Sequence, residues 1–213
     1  MKKRLLTSVL ALLACALAAF AQTPQEILSR MEAELEKYDE SEGVIMTVDV
    51  KMPIVGALST TYYTLGDKYR MDGELMGAKM VTWSDGVTIW TYSYKDNTVE
   101  IDNAKPLEKS ESDGDMSLFD GITDGYDVSI NKEDSKAWYI QCKKSKSNKD
   151  KDAPKKMEVV VRKKDYYPVS LSATMSGISI TMRDIVFGVS EKQVAFDAND
   201  FPGVKVEDKR KKK

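Results

Sequence analysis

The stretch Met80–Tyr94, MVTWSDGVTIWTYSY, constrains the fold most. It reads as two strands joined by a tight polar turn. Ser84-Asp85-Gly86 is that turn: Ser and Asp bond back to their own backbone, and Gly tolerates positive φ. After it the residues alternate. Trp90, Tyr92 and Tyr94 share one face, and Val87, Ile89, Thr91 and Ser93 share the other. Three aromatics on one strand face need an apolar partner. That partner is either an ordinary core or a cavity holding an apolar ligand.

The same period of two recurs along the chain. Val44, Met46, Val48 and Val50 alternate with Ile45, Thr47, Asp49 and Lys51. Leu58–Leu65 is a further strand, Tyr69 and Met71 share a face of the next, and Val99 and Ile101 extend the meander. Gly66-Asp67 and Asp72-Gly73 punctuate these runs as turns. Later strands carry Tyr126, Val128 and Ile130; Trp138, Ile140 and Cys142; Met157, Val159 and Val161; Val169, Leu171 and Ala173; and Ile178, Ile180 and Met182. Val194 and Phe196 are read as closing the strands. About ten antiparallel strands at regular spacing favour a barrel or a strongly curled sheet over a flat one.

Two segments break this pattern. Thr23–Tyr38 is read as a helix, with Thr23 as N-cap, Pro24 at the first helical position and Glu26 completing a capping box. Ile27, Leu28, Met31, Leu35 and Tyr38 form its apolar stripe, which either packs on a sheet or lids a cavity. Residues 103–125 are a charged stretch with an apolar island at Met116, Leu118, Phe119 and Ile122, read as a loop and a short second helix. Asp113, Asp115, Asp120 and Asp124 lie in it, but their spacing fails the EF-hand pattern. Lys143–Lys156, KKSKSNKDKDAPKK, is a hydrophilic hairpin loop, with a basic docking patch as the other reading.

The ends of the chain are processing and tail segments. Met1–Ala21 has a basic start at Lys2, Lys3 and Arg4, an apolar run, and the small-x-small site Ala19-Phe20-Ala21. It is read as a secretory signal peptide, leaving residues 22–208 as one domain and 209–213 as a basic tail. A rival reading takes Leu12-Leu13-Ala14-Cys15 as a lipoprotein signal with Cys15 acylated.

Composition then excludes function classes. Removing three of the 32 basic residues and none of the 34 acidic ones leaves a net charge of −5. That disfavours nucleic acid, whose binding rests on Lys and Arg neutralising phosphates. Histidine is absent, which removes histidine acid–base catalysis and most zinc sites. Cys142 alone remains after cleavage, so no internal disulfide forms. A hydrolase of the paired-carboxylate kind needs two carboxyl groups in an apolar setting, but the carboxylates here fall mostly in polar turns, so no catalytic residue, metal or cofactor is assigned. Met46, Met71, Met80, Met157, Met175 and Met182 all lie in or beside strands, where methionine is a poor strand former but a pliable filler.

These residues carry a family resemblance. Trp83–Tyr92, WSDGVTIWTY, resembles the SDGxxxWxY hairpin of the LolA family of periplasmic outer-membrane lipoprotein carriers. Gly66–Met71, GDKYRM, sits where that family has an aromatic-rich xFRW-type strand end. SLFDGITDGYDV, from Ser117, is similar to its short helix and YxV strand. Val194-Ala195-Phe196 and Phe201-Pro202-Gly203-Val204-Lys205-Val206-Glu207-Asp208 resemble its closing FxF…PxGVxVxD segment. The signal peptide and the amphipathic first helix agree as well, so the resemblance covers nearly the whole mature chain.

The resemblance implies a half-open antiparallel β-barrel, covered by the N-terminal helix and a short second helix, around an apolar cavity. It implies a periplasmic, monomeric carrier that is not an enzyme. Such a carrier takes acylated lipoproteins from an inner-membrane release complex to an outer-membrane acceptor. The implied lining is Ile27, Leu28, Met31 and Leu35 on the first helix and Leu118, Phe119 and Ile122 on the second. Met71, Met80, Trp90, Tyr92, Ile178, Ile180 and Met182 would line the strands. A lipid- or lipoprotein-binding sensor or receptor of the same fold is the alternative, anchored if Cys15 is acylated. One position departs from the family: the arginine that ties its lid falls nearest Leu65 here, and Arg70 holds a different position of the motif.

Overall fold

A computed structural model describes residues 22–38, 40–54, 56–75, 77–104, 124–151 and 153–210. Residues 1–21, read as a signal peptide and containing Cys15, and the island of Leu118, Phe119 and Ile122, read as a second helix, lie outside them.

The chain folds as the period-2 pattern requires, into a single 12-stranded sheet. The strands are β1 (Val44–Met52), β2 (Gly56–Leu65), β3 (Lys68–Leu75), β4 (Ala78–Ser84), β5 (Thr88–Ser93) and β6 (Thr98–Asn103). Then come β7 (Tyr126–Glu133), β8 (Ala137–Lys144), β9 (Lys156–Arg162), β10 (Pro168–Met175), β11 (Ile178–Phe187) and β12 (Lys205–Asp208). Their order across the sheet is β12-β6-β5-β4-β3-β2-β1-β11-β10-β9-β8-β7. The two hairpin meanders therefore meet at β1–β11, and β12 adds to β6 in parallel. β7 and β12 stand at opposite edges of the order, so the sheet does not close on itself. It is the half-open, mainly β architecture expected, with twelve strands in place of about ten.

Helix α1 spans Pro24–Leu35, slightly shorter than the sequence pattern suggested. Its start is as the sequence requires. Thr23 Oγ1 accepts from the Glu26 amide at 3.2 Å, and the Glu26 carboxylate accepts from the Thr23 amide at 2.9 Å. Its stripe of Ile27, Leu28, Met31 and Leu35 is buried against Trp138, Ile140, Cys142, Val159, Val161, Leu171 and Ile185. The core thus sits between α1 and the strands from β8 to β11.

The segment after β11 corrects the sequence reading. Val194 and Phe196 do not belong to a strand. Glu191–Val194 is a short helix, α2, and Phe196 lies in the irregular stretch beyond it. The reason is tertiary: Gly43 and Glu42 carbonyls accept from Gly188 and Val189 amides, turning the chain off the sheet below β1.

Candidate functional site

Cross-strand partners place side chains on a common face of the sheet. Met46 of β1 stands opposite Tyr62 of β2, which is opposite Met71 of β3 and then Thr82 of β4. Val48 stands opposite Met182 of β11 on one side and, through Thr60 and Gly73, Met80 on the other. Val50 pairs with Ile180, Ile180 with Ala173, and Ala173 with Met157. Met175 pairs with Ile178 two residues further along the same strands. All these rungs belong to the face that α1 covers. With Met52, which continues the β1 alternation, every methionine in the described strands lies on it.

Two zones share that face. Over β7–β11, α1 is packed shut: Ile27, Leu28 and Met31 are 0% exposed. Met46, Met157 and Met182 pack against this core from its margins. Further along, Tyr62, Met71 and Met80 are half-buried and lie outside the core cluster. Ile180 is likewise half-buried, and Ile178 reaches the end of the sheet.

Trp90 and Tyr92 are elsewhere. Trp90 stands opposite Trp83, and Tyr92 opposite Val81, on the rungs that alternate with those of Met71 and Met80. They therefore point to the other face, away from α1. There the C-terminal segment covers them. Phe196 stacks on Trp90 at 5.3 Å, Phe201 meets Tyr92 at 4.6 Å, and Trp83 touches both phenylalanines edge-on. Trp90 and Tyr92, expected among the cavity-lining residues, thus have an aromatic strap as their apolar partner. A 190 Å³ cleft remains beside it, lined by Lys68, Asp85, Trp90, Glu191 and Phe196. Ligand pockets begin at about 300 Å³, and the Lys68–Glu191 ion pair at 2.6 Å is drawn across this one.

Sequence reasoning missed what ties α1 to the sheet. Arg30 Nη1 donates to the Tyr166 hydroxyl at 2.8 Å, and Gln22 Nε2 donates to the same oxygen at 2.6 Å. The Arg30 guanidinium lies 5.1 Å over the Tyr166 ring, which in turn stacks on Trp138 at 5.4 Å. Tyr166 has φ of 57°, a left-handed conformation that bulky residues rarely adopt. No spacing in the β9–β10 turn announces this. Beyond the helix, Tyr38 stacks on Phe187 at 4.3 Å. Arg70 faces the strap side instead, paired with Asp72 at 2.6 Å and set over Tyr63 and Trp83.

No protein-family model matches the sequence, and no curated protein does. Solved structures do match the fold. LppX, a lipoprotein of Mycobacterium tuberculosis, aligns over 79% of this chain and 98% of its own, at 12% identity and a TM-score of 0.51. LprF of Mycobacterium bovis aligns over 80% and 96%, at 8% identity and a TM-score of 0.47. A LolA superfamily protein of Nitrosomonas europaea aligns over 83% and 99%, at 12% identity and a TM-score of 0.29. At 12% identity the likeness to LppX is one of fold. An open sheet under an amphipathic helix is the fold shared with LppX, and it agrees with the half-open, mainly β architecture expected from the sequence. Among the described residues, no helix is long and apolar enough to cross a membrane.

Proposed function

We propose that the protein carries acylated lipoproteins through the periplasm, holding their acyl chains on the methionine-bearing face of its sheet. The observation that supports this most is the sorting of the methionines. Met46, Met52, Met71, Met80, Met157, Met175 and Met182 come from both meanders, yet all share the face under α1. Methionine is unbranched and polarizable, so a surface of it accommodates chains of varied shape. No group on this face is assigned a bond-making role.

Magnitudes fit a carrier that must also release. Lifting α1 exposes Ile27, Leu28, Met31 and Leu35, at about 1.5–3 kcal/mol each. An acyl chain of roughly 16 carbons gains about 0.8 kcal/mol for each methylene it buries. The two sums are of similar size, about 6–12 and about 13 kcal/mol. Cargo can therefore displace the helix, and the helix can displace cargo. Met71 and Met80, already outside the packed core, are the first contacts for an entering chain. On this reading a release complex of the inner membrane loads the carrier and an outer-membrane acceptor empties it.

The test has two stages. Met71→Glu and Met80→Glu should each abolish binding of a fluorescent fatty acyl probe, because a carboxylate against an alkyl chain is costly to desolvate. Purified protein should then release labelled triacylated lipoproteins from spheroplasts as a one-to-one complex. Probe binding without release would mark a lipid-binding sensor or receptor. Probe binding that survives both substitutions would end the assignment of this face.

A further inference from the structure

We propose that the protein docks on an anionic lipid bilayer through the end of the sheet formed by the β1–β2 and β10–β11 turns. The proposal does not rest on the carrier reading, since a sensor with the same surface would dock in the same way.

Turn tips are ordinarily built from Gly, Pro, Asn, Asp and Ser. Most turns in this sheet obey: Gly66-Asp67, Ser84-Asp85-Gly86, Asp96-Asn97 and Asp134-Ser135. The β1–β2 turn carries Ile54 beside Pro53, and Ile54 is 97% exposed. The β10–β11 turn is flanked by Met175, 42% exposed, and Ile178, 37% exposed. The two tips adjoin. β1 and β11 pair up to Lys51 and Ser179, and a Cβ placed on Gly177 would lie 3.5 Å from Pro53. Together they form one protruding aliphatic edge.

Positive charge surrounds that edge. Antiparallel pairing brings the β8–β9 loop to the same end of the sheet, because Lys156 stands opposite both Thr174 and Lys143. The loop from Lys143 to Lys156 holds seven lysines against Asp150 and Asp152. Lys143, Lys146, Lys149, Lys151, Lys155 and Lys156 are exposed, as is Lys51 at the end of β1. Among the described residues none of these is in a salt bridge, although Asp127 stands opposite Lys143. The chain as a whole is acidic, at −2. A cluster of exposed lysines therefore lies beside Ile54, Met175 and Ile178 although the chain as a whole is acidic.

This combination fits a bilayer better than a protein. A specific protein interface needs about 800 Å² per partner, with aromatic or arginine anchors at its centre. Two narrow tips of Ile, Met and Pro offer neither. They suit insertion between lipid headgroups, with lysines at the height of the phosphates. Each lysine near an anionic surface contributes about fivefold in affinity.

Vesicle flotation decides the matter, using the purified protein with Cys15→Ser, which removes any acyl anchor. Protein should float with phosphatidylcholine–phosphatidylglycerol vesicles and far less with phosphatidylcholine alone. Ile54→Asp, at a fully exposed site, should lower partition by at least about tenfold. Gln at Lys143, Lys146, Lys155 and Lys156 should weaken it by about fivefold per lysine and flatten its salt dependence. Ile54→Cys carrying an environment-sensitive dye should shift to the blue on anionic vesicles. Cys142 is 0% exposed and escapes labelling. No flotation, no blue shift, or flotation indifferent to Ile54→Asp would overturn the proposal. So would binding confined to native membranes and absent from protein-free vesicles, which would assign the surface to a protein receptor.

Discussion

Trp90 stacks on Phe196 with ring centroids 5.3 Å apart and planes 11° from parallel, on the sheet face turned away from Met71. The pair fixes the C-terminal segment to the β4–β5 hairpin. Trp90→Ala should cost about 2–3 kcal/mol, less than a fully buried Trp because the ring is half-buried. It should leave acyl-probe binding unchanged. Thermal unfolding with a probe titration reads both effects. Loss of binding in a folded Trp90→Ala protein would return Trp90 to the lining.

Tyr166 accepts from two donors that precede or belong to α1, so its hydroxyl is the polar tie of that helix. Tyr166→Phe keeps the stacking on Trp138 and removes only the acceptor. One contact is half-buried and the other exposed, so about 1 kcal/mol of local attachment should be lost. Native-state hydrogen exchange should then quicken about fivefold for α1 amides and stay unchanged for Ile140 in β8. Equal protection of α1 in both proteins would show that apolar packing alone holds the helix.

Arg183 donates to both oxygens of Asp49, at 2.6 and 3.3 Å, and holds that carboxyl below its ordinary range. A carboxylate whose folded pKa is lowered stabilises the fold above its unfolded value, about 3.9. The contribution is lost as pH falls through the folded value. Asp49→Asn should therefore lower Tm at neutral pH and have no effect below the carboxylate range. A Tm deficit that persists in strong acid would mean the pair acts through packing.

Burial pushes the Cys142 thiol up to about 11 and leaves it no exposed surface. Reaction with a disulfide reagent at neutral pH should be negligible in the native protein and complete once it unfolds. The reaction rate should track global unfolding as denaturant rises. Fast native labelling would show that the core under α1 opens on its own.

Local sequence was sufficient wherever a motif closes within a few residues. Thr23, Pro24 and Glu26 give the helix start, because a capping box needs only its own turn. Ser84-Asp85-Gly86 gives the hairpin, with Asp85 Oδ1 accepting from Val87 and Thr88 amides at 2.9 and 2.7 Å. The stripe of Ile27, Leu28, Met31 and Leu35 was legible as one buried face for the same reason. The alternation also showed that Met71 and Met80 each share a face with their neighbours at two residues' distance.

The sequence alone therefore determined the first helix, most of the strands in their order and the mainly β class, but neither α2 nor β12. Only the tertiary structure decided which way each strand faces. In β5 alternation puts Trp90 and Tyr92 on one face and Ile89, Thr91 and Ser93 on the other, but it cannot say which of the two α1 covers. The choice comes from register with distant strands and from Phe196 and Phe201, which are remote in sequence yet cover one side. A period of two labels two faces identically, and only long-range packing tells them apart.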